Sequence, residues 1–107
     1  MAIRPLLNVP KVVKPGVAFE VRILIQHPME NGLRRDAMGR EIPRDIIHSF
    51  ECSVDGVEVF SATLHPAISA NPFLSFQARL AKSGTMLLRW VDDHGAEGRE
   101  TVAIEVA

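Results

Sequence analysis

Apolar and polar residues alternate along much of the chain, and a period of two is the spacing of side chains on one face of a β-strand. The clearest case is residues 17–25, where Val17, Phe19, Val21, Ile23 and Ile25 alternate with mostly polar positions. No apolar stripe of useful length recurs at helical spacing. The pattern therefore predicts an all-β protein with this segment as its most distinct half-buried strand.

Six further segments have the same character, and turn residues separate them. Asp55-Gly56 is a strong signal for a two-residue hairpin, and Lys82-Ser83-Gly84 predicts another turn. About seven short strands at this spacing predict an immunoglobulin-like, two-sheet antiparallel sandwich. The chain has one cysteine, so we expect no intramolecular disulfide. The six predicted segments are residues 3–9, 46–54, 57–64, 73–80, 86–90 and 101–106.

Length and composition limit the classes of protein that the chain could belong to. Its 107 residues suit one domain over residues 1–107, and 47% hydrophobic residues suffice for a core without a structural metal. Twelve basic residues balance thirteen acidic ones, which gives no electrostatic reason to expect nucleic acid or a membrane as partner. Residues 1–10 lack an apolar run long enough for a signal peptide, which by itself predicts a cytoplasmic protein.

Strand order predicts which loops meet. Successive strands of such a sandwich point in alternate directions, so alternate connections lie at the same end. The long loops 27–44, 65–72 and 92–98 should share one end, which we call the loop pole, and the tight turns should share the other. We expect the loop pole to be a partner-binding surface. Its candidate residues are His27, Arg34, Arg35, Asp36, His65, Asn71, Asp92, Asp93 and His94.

The three histidines of the loop pole allow two interpretations. With the neighbouring carboxylates they could bind zinc or copper, which would make the chain a small histidine-containing metal-binding sandwich domain. However, each histidine comes from a separate loop, and no close ligand pair occurs in the sequence. We therefore favour histidines whose ring nitrogens stabilise the loops, and we predict no metal and no cofactor.

Nucleophilic catalysis has little support in the sequence. Cys52 shares its parity with Phe50 and Val54, which predicts a buried and unreactive thiol. Ser69 lacks the Gly-x-Ser-x-Gly context of a hydrolase nucleophile. We predict that the chain is not an enzyme and has no catalytic residue.

Outward-facing aliphatic residues form a second candidate surface, on the sheet built from the predicted hairpin and the last two strands. A contiguous patch would indicate a partner-binding surface, whereas scattered aliphatic residues are normal. The pattern leaves both interpretations open. This outer-sheet group consists of Ile47, Val57, Val59, Leu87, Val91 and Ala103.

Four segments resemble the SoxZ family, the small subunits of the SoxYZ sulfur-carrier complex of bacterial thiosulfate oxidation. They read HPMENGLR at residues 27–34, EIPRDII at 41–47, LHPAISANPFLSF at 64–76 and WVDDHG at 90–95. The likeness covers essentially the whole chain, and residues 64–76 are its most specific part. The resemblance implies the same immunoglobulin-like fold.

The resemblance also implies a partner and a place of action. The partner would be SoxY, whose C-terminal Gly-Gly-Cys arm carries sulfur intermediates covalently, while other Sox enzymes make transient contacts. Residues 102–107 contain no such arm, so the chain would be a non-catalytic subunit of a heterodimer that could also pair with itself when isolated. The family acts in the periplasm, which implies export together with a signal-bearing SoxY.

Overall fold

Eight β-strands form the fold in the computed structural model, which describes residues 5–107. Over that range there is no α-helix, and therefore no helix that could cross a membrane. The first predicted strand begins at Ile3, which lies outside the described residues. The strands are β1 (Leu6–Asn8), β2 (Val12–Val13), β3 (Phe19–Leu24), β4 (Ile47–Val54), β5 (Val57–Thr63), β6 (Phe73–Ala78), β7 (Gly84–Asp92) and β8 (Glu97–Val106).

The strands form two sheets, which confirms the prediction of an all-β sandwich without a disulfide. One sheet has the order β1-β3-β6, and the other has the order β2-β8-β7-β4-β5. Neighbouring strands are antiparallel except β2 and β8, which run parallel with Val12 opposite Glu105 and Val13 opposite Val106. The sequence did not predict β2, because two residues are too few for an alternating pattern.

The core lies between the sheets and is joined by three phenylalanine rings. Phe60 of β5 stacks on Phe76 of β6 at 4.3 Å between ring centroids. Phe50 of β4 meets both rings at about 6 Å in tilted and edge-on contacts. Because Phe76 belongs to the smaller sheet and the other two to the larger one, the cluster holds the sheets together.

An irregularity at the start of β4 corrects the prediction for Ile47. In the pairing with β7, Ile47 lies opposite Asp92 and Ser49 opposite Val91, so the register shifts around His48. An extra residue of this kind changes which side chains face inward. Ile47 is 0% exposed and belongs to the core. The prediction that Ile47 faces outward was therefore wrong.

A second irregularity corrects the placement of Val57 and Val59. Val57 pairs with the buried Val54, and Val59 lies at the register shift beside Cys52 and packs against the core. Both valines are therefore on the core-facing side of the edge strand β5, although Val57 at the strand end remains 68% exposed. The prediction that they share an outward face with Leu87 was wrong.

The remaining members of the outer-sheet group do not form a continuous apolar surface. Leu87 and Val91 are half-buried and lie on the outer face of β7, with Arg89 between them. The Arg89 guanidinium donates hydrogen bonds to both carboxylate oxygens of Glu97 and lies 3.7 Å from Glu51. A charged cluster thus separates the two aliphatic side chains, so they do not form one continuous apolar patch.

Residues 30–45 form an ordered two-stranded arm where the sequence indicated an irregular loop. The amide N–H groups of Glu30 and Asp45 donate to each other's carbonyl oxygen at 2.8 Å. Farther out, Arg35 pairs with Glu41 in an antiparallel bridge. At the tip, the Asp36 carboxylate accepts hydrogen bonds from the amides of residues 38 and 40. We call this segment the arm.

Candidate functional site: the loop pole

The three long loops meet at one end of the sandwich, as strand order predicted. The Asn71 amide donates to the His27 carbonyl oxygen at 2.8 Å, and the His27 amide donates to Asn71 Oδ1 at 3.0 Å. Asn71 has a φ of 54°, a left-handed conformation that asparagine adopts more readily than most residues. This reciprocal pair joins the 65–72 loop to the beginning of the 27–44 loop.

The tight turns lie at the opposite end. The Gly16 amide donates to the Leu80 carbonyl oxygen, and the Asp55 amide donates to that of Thr85. Gly16 has a φ of 70°, which suits glycine at this turn. The two ends of the sandwich therefore differ as expected, with short connections at one and the long loops at the other.

His27 occupies the centre of the loop pole and is almost buried. Its Nε2 lies 3.1 Å from Asp92 Oδ2 and 3.7 Å from Asp45 Oδ1. Its Nδ1 accepts a hydrogen bond from the Met29 amide at 3.0 Å. A neutral imidazole with its proton on Nε2 satisfies both contacts, because Nδ1 then accepts while Nε2 donates to Asp92.

Met29 supports this arrangement at some conformational cost. It has a φ of 52°, which is unusual for a residue other than glycine. Its side chain is buried, and its Sδ accepts a hydrogen bond from the Ile47 amide at 3.2 Å. The thioether thus provides a weak acceptor for the N–H group next to the β4 irregularity.

Asp92 links His27 to the turn between β7 and β8. Its Oδ1 accepts hydrogen bonds from the amides of His94 and Ala96, both at 2.9 Å. Partial burial raises the pKa of Asp92, but the hydrogen bonds from His27 and the two amides outweigh it and leave the pKa below its ordinary value. Asp92 is therefore an ionised acceptor that fixes the loop.

Asp45 lies beside His27 and Asp92 and completes the cluster of ionisable side chains around the imidazole. Its Oδ2 lies 3.0 Å from Nδ1 of the exposed His94. Its Oδ1 is buried and has no hydrogen-bond donor in the described part of the chain. Strand order had placed loop 27–44 here, but we had not selected Asp45 as a candidate. Asp45 directly follows that loop and directly precedes the core residue Ile46, and this position in the sequence could have identified it as a candidate.

A bidentate ion pair fixes the base of the arm to the same turn. Arg44 Nε and Nη2 donate to the Asp93 carboxylate at 2.7 and 2.9 Å, and the Ile46 amide donates to Asp93 Oδ2 at 3.2 Å. The hydrogen bond from Arg44 is the main reason that the pKa of Asp93 lies below its ordinary value. Sequence reasoning did not select Arg44 as a site residue.

The other predicted residues of the loop pole lie around this cluster. His65 is exposed, and its carbonyl oxygen accepts a hydrogen bond from the Ile68 amide within its own loop. Arg34 pairs with Glu30. Arg35 donates to the Gly39 carbonyl oxygen, so these arginines lie on the arm, as does Asp36.

The cluster can be tested against the chemistry of a metal centre. One donor atom each from His27, Asp45 and Asp92 lies within 4.8 Å of the other two. However, Nδ1 of His27 accepts the Met29 amide, so the ring proton lies on Nε2, the nitrogen that faces the carboxylates. A metal ion at Nε2 would require that proton to move to Nδ1, which would break the hydrogen bond from the Met29 amide. The hydrogen bonds therefore favour the loop-stabilising role for His27.

Cys52 is confirmed as a buried thiol. Its side chain is 0% exposed and unpaired. Burial raises the pKa of the thiol to about 12. At neutral pH the thiolate that reacts with electrophiles is therefore almost absent.

The fold and the site together define a disulfide-free β-sandwich whose long loops are joined by hydrogen bonds at one end. Residues 7–103 match the family described as sulphur oxidation protein SoxZ. The chain therefore belongs to the SoxZ family, which supports a role in sulfur oxidation. No curated protein matches the chain.

Solved structures with a similar fold include superoxide reductases. Superoxide reductase (neelaredoxin) from Ignicoccus hospitalis has a TM-score of 0.69 and 22% identity, covering 96% of this chain and 80% of that one. A putative superoxide reductase from Thermotoga maritima has a TM-score of 0.69 and 16% identity, covering 96% and 85%. At this level of identity, the likeness concerns the fold alone.

Proposed function

We propose that the chain is the non-catalytic small subunit of a periplasmic sulfur-carrier complex. In this proposal it binds SoxY, whose C-terminal cysteine arm carries sulfur intermediates during thiosulfate oxidation, and helps to present that arm to other Sox enzymes. Membership of the SoxZ family supports the role in sulfur oxidation. Export together with a signal-bearing SoxY would bring the chain to the periplasm.

The burial of Cys52 is the structural observation that carries the proposal. A covalent sulfur carrier needs a thiolate that can enter the active sites of other proteins. Cys52 is the one cysteine of the sequence, it is fully buried, and its pKa is raised to about 12. The thiol that carries sulfur would therefore belong to the partner chain.

The loop pole would contribute to the presentation of the carrier arm. A flexible tether keeps its thiol at high local concentration near any enzyme docked on the complex. Enzymes that act in turn need contacts that form and break quickly, and such contacts are polar and modest in area. The charged loops around His27, Asp92 and Asp93 have this character.

Association with SoxY is the first test. The chain would be co-expressed with the SoxY protein of the same organism and examined by gel filtration with light scattering. We expect a complex of one chain each, and we expect thiosulfate oxidation by the reconstituted system to survive Cys52→Ala. Separate elution of the two proteins, or loss of turnover in Cys52→Ala while the complex still forms, would contradict the proposal.

The surface that meets SoxY can be tested on the larger sheet. Leu87 and Val91 are the half-buried aliphatic residues on its outer face. We expect Leu87→Lys to weaken the heterodimer without unfolding the chain, because a charge would replace an aliphatic contact. Gln77→Lys, at an exposed position on β6 of the other sheet, is the control for the added charge. Equal association of wild type and Leu87→Lys would remove Leu87 from the interface.

A metal-binding sandwich domain is the alternative function. The close approach of His27, Asp45 and Asp92 is the observation in its favour, and the proton position on His27 opposes it. Metal analysis of the purified protein distinguishes the two functions. A stoichiometric first-row transition metal that is lost in His27→Gln would support the alternative.

A further inference from the structure

The two lateral sides of the sandwich differ in how their edge strands are protected. Phe60 of β5 stacks on Phe76 of β6, so these two edge strands lie beside each other, and β1 and β2 end the sheets on the other side. β1 has three residues and lies between Pro5 and Pro10, and β2 has two residues flanked by lysines. Short strands, prolines and lysines prevent an exposed edge from pairing with other chains. The side formed by β1 and β2 is therefore protected.

β5 lacks these protections and is the longest of the four edge strands in the described part of the chain. Its seven residues include no proline, lysine or arginine. Its one carboxylate, Glu58, and the irregularity at Val59 both lie near the turn that joins β5 to β4. Residues 60–63 therefore present an uncharged strand edge, which can pair with an extended segment of another protein.

The hydrogen bonds between β4 and β5 show which amide groups of β5 face away from the sheet. The Leu64 amide donates to the His48 carbonyl oxygen at 2.9 Å, which makes these two residues a hydrogen-bonded pair. Such pairs alternate with non-hydrogen-bonded pairs along an antiparallel ladder, and the register of residues 60–63 is regular. The N–H groups of Ser61 and Thr63 therefore point away from β4, where no strand among the described residues adjoins β5.

An apolar groove lies beside the end of β5 nearest that turn. It has a volume of about 340 Å³, and its apolar lining includes Val57 and Val59 of β5 and Leu80, which follows β6. A segment that pairs with β5 and continues towards the turn reaches this groove. Pockets beside a free strand edge accept side chains of the added strand and thereby select its sequence.

Two cations at the same groove have no ion-pair partner within residues 5–107. Arg79 and Lys82 are exposed and line the groove, and neither forms an ion pair with a described carboxylate. The one carboxylate that lines the groove, Asp55, accepts a hydrogen bond from the Thr85 amide at 3.0 Å. The two cations would therefore attract a carboxylate of the segment that fills the groove.

We propose that an extended segment of a partner chain adds to the free edge of β5 as a further strand of the larger sheet. Its carbonyl oxygens would accept hydrogen bonds from the amides of Ser61 and Thr63. Nearer the turn, one apolar side chain would occupy the groove, and a carboxylate would contact Arg79 and Lys82. The inference rests on the proposed function, which supplies SoxY as the partner chain.

Substitutions at two positions test the main-chain and the charge contribution separately. Ser61→Pro removes the outward N–H group and retains the hydrogen bonds to β4, because an edge strand tolerates proline where its nitrogen faces solvent. Ser61→Ala keeps the N–H group and is the matched control. Lys82→Glu reverses a charge at the groove, and Lys11→Glu makes the same change on the protected side. Circular dichroism and thermal unfolding would establish that each variant is folded.

Association would be measured by competition inside one complex. Each variant would be co-expressed with wild type and with tagged SoxY, and mass spectrometry would give the ratio of variant to wild type in the purified complex and in the lysate. We expect Ser61→Pro to be depleted ten-fold or more in the complex and Lys82→Glu several-fold, with both controls at parity. After equilibration at high salt the depletion of Lys82→Glu should decrease, because screening weakens charge contacts.

The outcomes keep this inference distinct from the proposed function. If wild type does not associate with SoxY, the proposed function fails, and the inference fails with it. If Ser61→Pro and Ser61→Ala enter the complex equally, the strand-addition proposal alone is overturned. It is also overturned if Ser61→Pro only abolishes self-association of the isolated chain, because the edge would then serve a second copy. Should Ser61→Pro not fold, parity of Lys82→Glu with Lys11→Glu overturns the proposal.

Discussion

At the scale of single residues, the packing of the Trp90 indole depends on the absence of a side chain at Gly98. Gly98 lies opposite Trp90 in the β7–β8 ladder. A Cβ atom at residue 98 would overlap the Trp90 ring, well inside any permitted contact. Trp90 packs against the core, so the ring has little freedom to move away.

We therefore expect Gly98→Ala to destabilise the protein by about 1–3 kcal/mol, the usual range for overpacking. Thermal unfolding would show a lower midpoint, and the fluorescence of Trp90, the one tryptophan, would change in the native state. Ala103→Ser, on the exposed face of the same strand, is the control and should have little effect. A wild-type midpoint for Gly98→Ala would contradict the packing described.

Comparison of Cys52 with Ile47 explains which residues the sequence could predict. Both predictions used the two-residue period of β4. The prediction for Cys52 was correct because β4 pairs regularly with β7 at Leu88. The prediction for Ile47 was wrong because the register between the same strands shifts at His48. An extra residue in a strand has no characteristic composition, so alternation alone cannot reveal it.

At the scale of elements, ion pairs join neighbouring strands and loops on the surface. Glu97 at the start of β8 pairs with Arg89 of β7 and with Arg99. Hydrogen bonds from Arg89, and then from Arg99, lower the pKa of Glu97 to about 2. Asp93 fixes the arm to the β7–β8 turn in the same manner.

The lowered pKa of Glu97 predicts how stability depends on pH. A carboxyl group with a lower pKa in the folded state than its ordinary 4.5 stabilises the fold when ionised. That contribution is complete above about pH 4.5 and is lost as the pH falls towards 2. We expect Glu97→Gln to reduce the loss of thermal stability over this interval, while Glu58→Gln leaves it unchanged. Parallel curves for wild type and Glu97→Gln would contradict this.

Asp93 supports a second prediction at this scale. Asp93→Ala would leave Arg44 and the Ile46 amide without their acceptor, at a cost of about 1–3 kcal/mol. Amide hydrogen exchange should accelerate at residues 30 and 45, where the arm joins the sandwich, and remain unchanged at residues 21–23 of β3. Equal exchange rates at residues 30 and 45 in the wild type and in Asp93→Ala would mean that the ion pair does not hold the arm.

The strands were largely predictable from the sequence, but the arm was not. Predicted segment 73–80 corresponds to β6, because it alternates clearly on a half-buried face. Predicted segment 57–64 corresponds to β5, although the irregularity at Val59 interrupts its alternation. Residues 30–45 have no alternation, since the order of the arm depends on backbone bridges and on the Asp36 carboxylate. Those interactions are compatible with many sequences.

At the scale of the whole molecule, the loop pole and the arm place one group of ion pairs at the same end of the sandwich. We expect replacement of both Arg34 and Arg35 by alanine to preserve the heterodimer with SoxY and to slow turnover in a reconstituted sulfur-oxidation assay, because these arginines lie on the arm. Lys11→Ala with Lys14→Ala, outside the loop pole, is the control. Wild-type turnover in the arginine variant would exclude these two residues from enzyme recognition.

The parallel pair of β2 and β8 has a consequence for how the protein reaches this structure. Val12 and Val13 pair with residues 105 and 106, so one contact joins segments from almost opposite parts of the sequence. Closing so long a loop is entropically costly, and contacts of this kind slow folding. We expect the pair to form late, only after the ribosome has released β8. A partner that recognises the finished sandwich would therefore bind only after β8 has left the ribosome and paired with β2.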